Sequence, residues 1–444
     1  MKIDAEKRCR KKIAVIISSM VIGAVLIICG LMYGIYALCL DPYRGTDDPL
    51  KATKELDAIM TGEQAEEDIN FVYDMLRSRH PAWLDGSEEL CQRVRAQYEA
   101  EMSSIGESMT VLEVWQACGR IVATMKDGHS YVIDNGIGLY INDLTDILAS
   151  NRLIAVNGEP CGDIFERFCS VYPEENREYS LSVFTSEVLI DREYLAWCGV
   201  DVSDGVAFTF ENESGESFER HYVFVTAEEI IGIEAGQKTP VSSSWIDEEN
   251  AVAVFDLNRC VYDDAYISAV ADFFDDVIES GCSTVVVDLR GNGGGDSRVA
   301  DEFLRYIDVD SYKTWGNKVR FGNHLWVNKN GVVQNKKADV TFEGELFVMM
   351  DVYTYSSAME FAMLVGDNDL GTLVGEPSGN YPDGYGDCLY FSLPNSGLKL
   401  SVSFKKWVRV DQSKCGQAVE PDIFCDPDDA YERVLDMIGD KGDI

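Results

Sequence analysis

The distribution of apolar residues divides the chain into five stretches. From Ile13 to Leu40 there is no charged residue, a run longer than the roughly 20 residues that span a bilayer and the roughly 7–15 of a signal-peptide core, so it predicts one membrane-spanning helix. Asp41 to Thr61 is polar and turn-rich and suits a stalk. From Glu63 the spacing becomes helical, with Ile69, Val72, Tyr73 and Leu76 on one face, and Met109 to Met125 repeats this with Val111, Val114, Trp115, Cys118, Ile121 and Val122. Shorter signals follow: a strand at Leu153–Val156 running into Asn157-Gly158, and a hairpin around Asn212–Gly215 within Gly205–Val225. After Ser242 strands and helices alternate. Strands are expected at Ala251–Leu257, Thr284–Leu289 and Leu346–Met350, and helices at Ala265–Ser280, Ser297–Ile307 and Ser357–Val365. That alternation predicts an α/β domain.

Charge adds a direction and an exclusion. Six basic residues (Lys2, Lys7, Arg8, Arg10, Lys11, Lys12) precede the apolar run against Asp4 and Glu6, a bias that places the N-terminus in the cytoplasm and the body outside. Lys+Arg 38 against Asp+Glu 77 gives a net charge of −39, which repels phosphate backbones and makes nucleic acid an unsuitable partner. The 13 cysteines form no CxxC pair or zinc-type cluster. Ten of them follow the apolar run, an even number that an oxidising exterior can pair.

The candidate chemistry begins at Thr284–Arg290, a buried-strand run that empties into Gly291-Asn292-Gly293-Gly294-Gly295-Asp296. Such a loop turns sharply and offers bare N–H groups to a phosphate or to the oxyanion of an acyl-transfer intermediate. The dinucleotide fingerprint fails at Asp296, and the phosphate-binding Lys-Ser/Thr is missing. Ser357 sits at a strand-to-helix turn, where a serine can attack while the next residue, Ala358, donates its N–H to the oxyanion. The same Ser357-Ala358-Met359-Glu360 also fits a capping box. Ser356 is the alternative nucleophile. Of the four histidines (His80, His129, His221, His324), His129 follows Asp127-Gly128 at a helix end, where its side chain can project.

These segments together resemble the serine peptidases that include the C-terminal processing (tail-specific) proteases and the tricorn core protease. VVVDLRGNGGG is similar to their signature loop, Thr354–Glu360 to the nucleophile turn, Gly375–Gly379 to the loop after it, Val419–Asp422 to the closing segment, and Lys126–Ser130 to a histidine motif; Ala155–Gly158 resembles a PDZ-type strand and turn. The resemblance implies a crotonase/ClpP-like α/β core with a PDZ-like β module and Ser357, three residues before Glu360, as nucleophile. Two departures stand out. The lysine of the Ser/Lys branch is replaced by Tyr381, and the auxiliary serine before the histidine in the tricorn-like branch is replaced by Gly128. The late acid is open between Asp411 and Glu420, with Cys415 at the gapless position.

The expectation is therefore a membrane-anchored, extracytoplasmic serine peptidase acting on a peptide or protein, its C-terminal end included, without metal or organic cofactor. Ser357 attacks, His129 is the base, Asp411 orients it, and Ala358 with Gly294 or Gly295 holds the oxyanion. Its parts are a basic tail (1–12), a transmembrane helix (13–40), a stalk (41–62), an N-terminal helical domain (63–135), a PDZ-like module (136–241) and a peptidase core (242–444). The alternatives are a catalytically silent peptide- or ligand-binding relative and an acyl hydrolase on the same core.

Overall fold

In the computed structural model the apolar run becomes a helix, Lys2–Ile35, followed by a π-helical turn, Tyr36–Leu40. Residues 2–136, 138–141, 144–148, 150–230 and 240–442 are described. Within the first helix, Ile17–Gly34 is long and apolar enough to cross a membrane, and 0% of it is buried against the rest of the chain.

The two helical patterns fold as Gly62–Arg79 and Val111–Ala123, with a third helix, Glu88–Ser104, between them. Both patterned helices start at capping boxes, Thr61 with Gln64 and Thr110 with Glu113, in which each side chain satisfies a backbone N–H that has no helical partner. Their apolar stripes turn inward, burying Ile69, Val72 and Leu76 against Val114, Trp115, Ile121 and Val122.

The middle region holds a four-stranded antiparallel sheet in the order Glu159–Pro160, Arg152–Val156, Val206–Glu211, Ser217–Tyr222. Asn157 and Gly158 both take positive φ, as the turn dipeptide requires. The region is more helical than its strand signals suggested. Cys161–Val171, Arg177–Ser186 and Arg192–Trp197 are helices, and they bury Ile164, Phe168, Phe184 and Trp197 in the same cluster as Trp115. One continuous core thus joins this region to the N-terminal helices.

The C-terminal half is built on a six-stranded sheet ordered Ser242–Asp247, Val252–Leu257, Thr284–Asp288, Glu345–Met350, Thr372–Gly375, Ile423–Phe424, parallel except at its first strand. Its central strands, Val252–Leu257, Thr284–Asp288 and Glu345–Met350, are mostly apolar because both faces are covered, whereas the edge strand Ser242–Asp247 is mostly polar. Alternate residues Phe255, Val285, Val287 and Val348 pack under helices carrying Phe273, Phe303 and Phe361, while Val254, Val286, Phe347 and Met349 pack against Ala430 and Val434 of the last helix. A second sheet runs His324–Asn328, Gly316–Phe321, Lys399–Val408, Tyr385–Ser392, and Tyr131–Ile133 pairs with Lys399–Ser401. This pairing carries the N-terminal histidine motif onto the C-terminal half. His324 starts the first of these strands, separated by two others from the His129 motif's strand at Tyr131–Ile133.

The ten cysteines after the apolar run are all free thiols, six of them at least partly exposed. The other four, Cys118, Cys198, Cys260 and Cys282, are buried, and burial pushes the thiol pKa of the first three up, which suits packing more than pairing.

Candidate active site

Three loops leave the carboxyl ends of adjacent parallel strands: Leu289–Ser297 after Thr284–Asp288, Asp351–Ser356 after Glu345–Met350, and Glu376–Gly384 after Thr372–Gly375. Crevices at such strand ends are where α/β sheets place ligands.

The glycine loop lies directly on the serine turn. Gly294 has φ +97, and a Cβ there would stand 2.8 Å from both Ser356 Cβ and Ser357 N. Only glycine permits that approach and that φ together. Asn292, fully buried, fixes the loop by donating its amide to Leu257 O at 2.6 Å and accepting from Gly294 N at 2.8 Å, while its own carbonyl accepts from Tyr355 N at 3.0 Å.

The serine turn differs from expectation by one residue. Ser356 sits at φ 53, ψ −123 immediately before the helix Ser357–Gly366, a conformation that non-glycine residues rarely adopt. Its Oγ lies 3.1 Å from His129 Nε2. Ser357, the expected nucleophile, is 6% exposed and donates its hydroxyl to Gly295 O at 2.8 Å, so it does not meet the histidine. Two of the expected oxyanion donors are already engaged. Ala358 N is occupied by Tyr355 O at 3.1 Å and Gly294 N by Asn292 Oδ1. The N–H groups of Ser357 and Gly295 donate to no acceptor among the described residues, and both residues line the same cavity as Ser356. Ser356 N itself donates to Asn380 Oδ1 at 2.8 Å, which locks the turn from the third loop.

His129 is held from several sides. Its backbone N donates to Asp127 Oδ1 at 3.0 Å, its carbonyl accepts from Ser401 Oγ at 2.7 Å, and its ring lies 5.1 Å from that of Tyr355. Burial lowers its pKa; Asp127, Asp387 and the Tyr385 carbonyl pull the other way without overcoming it. The imidazole is therefore neutral near pH 7.

Asp411 is not part of this arrangement. It begins the turn Gln412–Lys414, and its carboxylate accepts from Ser413 N at 2.9 Å and Ser413 Oγ at 2.8 Å, because a short polar residue before a turn caps its own backbone. The nearest acid to the free ring nitrogen is Asp127, whose Oδ1 stands 3.9 Å from His129 Nδ1. Asp127 is fully buried and also accepts from His80 Nε2 at 3.1 Å and Ser130 Oγ at 2.6 Å. Burial alone would raise its pKa, but the hydrogen bond from His80, with His129 and Ser130, brings it down to about 2. Because His80 Nδ1 accepts from Ala82 N, the ring proton sits on Nε2 and points at Asp127.

Glu175, from the middle region, belongs to no motif in the sequence. Its carboxyl accepts from Gly128 N at 3.2 Å and Tyr381 N at 2.9 Å, and burial followed by the Asp127 charge pushes its pKa up to about 8. Asp127, His129 and Glu175 bring ligand-type atoms within 4.8 Å of one another, but both carboxyl groups are engaged by protein donors. Gly128 has no room for a side chain, since a Cβ would collide with Tyr355 Oη.

Residues 258–424 match the family model described as Peptidase family S41; His129 lies outside that span. No curated protein matches the chain significantly in sequence. Among solved structures, mature CPAF superposes with a TM-score of 0.61 at 13% identity, covering 84% of this chain and 96% of that one. Mature CPAF complexed with lactacystin gives 0.60 at 13% identity, covering 85% and 97%. The photosystem II D1 C-terminal processing protease gives 0.48 at 13% identity, covering 86% and 98%.

Proposed function

Because the chain belongs to peptidase family S41 and is a serine-type peptidase, we propose that Ser356 is its nucleophile and His129 its general base. The observation that carries this reading is the 3.1 Å contact between Ser356 Oγ and His129 Nε2 at a strained strand-to-helix turn. His129 takes the Ser356 proton as Oγ attacks the peptide carbonyl. The N–H groups of Ser357 and Gly295 receive the oxygen as it becomes anionic, an arrangement in which fixed dipoles meet developing charge. The protonated imidazole then gives its proton to the leaving amine, and water releases the acyl group by the same route in reverse. Asp127 supplies the negative charge that favours the imidazolium, and His80 and Ser130 hold Asp127 in place.

A lysine base is less suited. Lys405 lines the same cavity as Ser356 but is ion-paired with Asp387, so its nitrogen is engaged by that carboxylate and not by the serine.

In this reading the core is crotonase-like and the middle sheet is a PDZ-like module whose outer strand, Ser217–Tyr222, takes an extended peptide by strand addition. The helix containing Ile17–Gly34 anchors the body outside the membrane. Turnover of peptide and ester substrates by the full chain tests the assignment. His129→Ala and Ser356→Ala are expected to abolish peptide hydrolysis, whereas full activity in either, or hydrolysis of esters alone, would overturn it. Protection of the body from protease added to intact wall-stripped cells would overturn the topology.

A further inference from the structure

Beside Ser356 the glycine loop, the serine turn with its helix and the second sheet enclose a cavity of about 300 Å³, lined by Gly295, Ser357, Glu360, Asp387, Lys405 and Trp407 among others. One wall residue has no structural explanation. Glu360 follows Ser356 by one helical turn and is 5% exposed. No donor reaches its carboxyl among the described residues, although buried carboxyl groups are normally satisfied. The groups that face it are Lys405 and Asp387 from the second sheet and Asp301 from the helix Arg298–Leu304. Lys405 is already neutralised by its ion pair with Asp387. Asp296, also on the cavity wall, is paired with the exposed Arg298.

We infer that this cavity is a subsite for a cationic side chain of the peptide substrate, with the Glu360 carboxylate as its partner. The inference rests on the proposed peptidase reading, since it places the side chain next to the scissile bond. An anionic side chain would meet Glu360, Asp387 and Asp296 with no unpaired cation to receive it. An aliphatic one would seal Glu360 from water and leave it without a partner. A lysine or arginine side chain lays its apolar stem along Trp407 and brings donors to the carboxyl. Burial, followed by Asp387 and Asp301, holds the empty Glu360 protonated, with its pKa pushed up to about 8. An arriving ammonium or guanidinium favours the carboxylate, so one proton leaves Glu360 for solvent as the cation binds.

Two measurements on the full chain test this. In the first, peptides identical except for lysine, norleucine or glutamate at each position flanking the cleaved bond are compared by kcat/KM. At one position lysine should exceed norleucine by about tenfold or more, and Glu360→Gln should reduce that ratio towards one. In the second, agmatine is titrated into the Ser356→Ala chain by calorimetry at pH 7 in buffers of different ionisation enthalpy. Binding should release up to one proton, and Glu360→Gln should abolish that release. Equal use of lysine and norleucine at every position, or the absence of agmatine binding, would overturn the subsite. The agmatine titration of the chain with Glu360 intact stands whether or not Glu360→Gln folds. If no peptide is cleaved but agmatine binds with proton release, the peptidase reading fails and the cation site survives.

Discussion

Ser356 Oγ and His129 Nε2 meet at 3.1 Å although 227 residues separate them in the chain. The strand Tyr131–Ile133, paired with Lys399–Ser401, brings the histidine to the C-terminal sheet, and the turn at Ser356 projects its hydroxyl towards it. That projection has a conformational cost, because φ 53 with a Cβ present is an uncommon backbone state. Ser356→Gly is expected to remove activity while raising stability by about 1 kcal/mol. Thermal denaturation of the detergent-solubilised chain checks this, and a lower midpoint for the variant would contradict it.

The acid limb of the pH–rate profile reports the base. Since burial holds His129 below its ordinary pKa, kcat/KM should fall only as pH drops below about 6.5. Asp127→Asn removes a charge that raises the His129 pKa, so the limb should move to still lower pH, with a reduced maximum. A limb displaced upward in Asp127→Asn would show that another group titrates.

Glu175 links the middle region to the histidine loop and to Tyr381 through two backbone N–H groups. Its folded pKa of about 8 lies above the ordinary 4.5. The proton is bound more tightly in the folded state, so its stabilising contribution is full below about pH 4.5 and is lost as pH rises through about 8. Glu175→Gln, which can keep both acceptor contacts through its carbonyl only in part, should flatten that loss between about pH 4.5 and 8, whereas Glu175→Ala should lower both stability and kcat. Urea denaturation across pH measures this; identical pH slopes in the native chain and Glu175→Gln would contradict it.

The sequence pattern was sufficient for the alternating strands and helices of the C-terminal half, because strands covered on both faces are continuously apolar and the helices between them carry clear stripes. The serine that meets His129 lies one residue from the one the motif spacing favours. Ser356 and Ser357 are adjacent, and the motif spacing favoured the second. What separates them is a backbone dihedral, which leaves no mark in residue type. The helices at Cys161–Val171 and Arg177–Ser186 were overlooked because their apolar residues lie between stronger turn signals. Glu175 and Asn380 stayed hidden because each acts by accepting a backbone N–H from a segment distant in sequence. Gly128, read as the loss of a hydroxyl, is explained by Tyr355, whose ring fills the space beside it.

Asn380 offers a test of that hidden support. Its Oδ1 accepts from Ser356 N, so Asn380→Ala leaves the turn without its third-loop anchor. The expected result is a fall in kcat of about tenfold or more, with KM little changed, since the residue acts on the position of the nucleophile and not on substrate contacts. Steady-state kinetics decide it; a change confined to KM would place Asn380 in substrate binding instead.

The identity of the reacting serine is the most direct test of the whole arrangement. The full chain is treated with a fluorophosphonate and digested, and the peptide spanning the turn is fragmented between its adjacent serines. Phosphonylation of Ser356, absent when His129 is replaced by alanine and retained in Ser357→Ala, is the predicted result. Phosphonylation of Ser357, or labelling of Ser356 at an undiminished rate without His129, would contradict the Ser356–His129 pair.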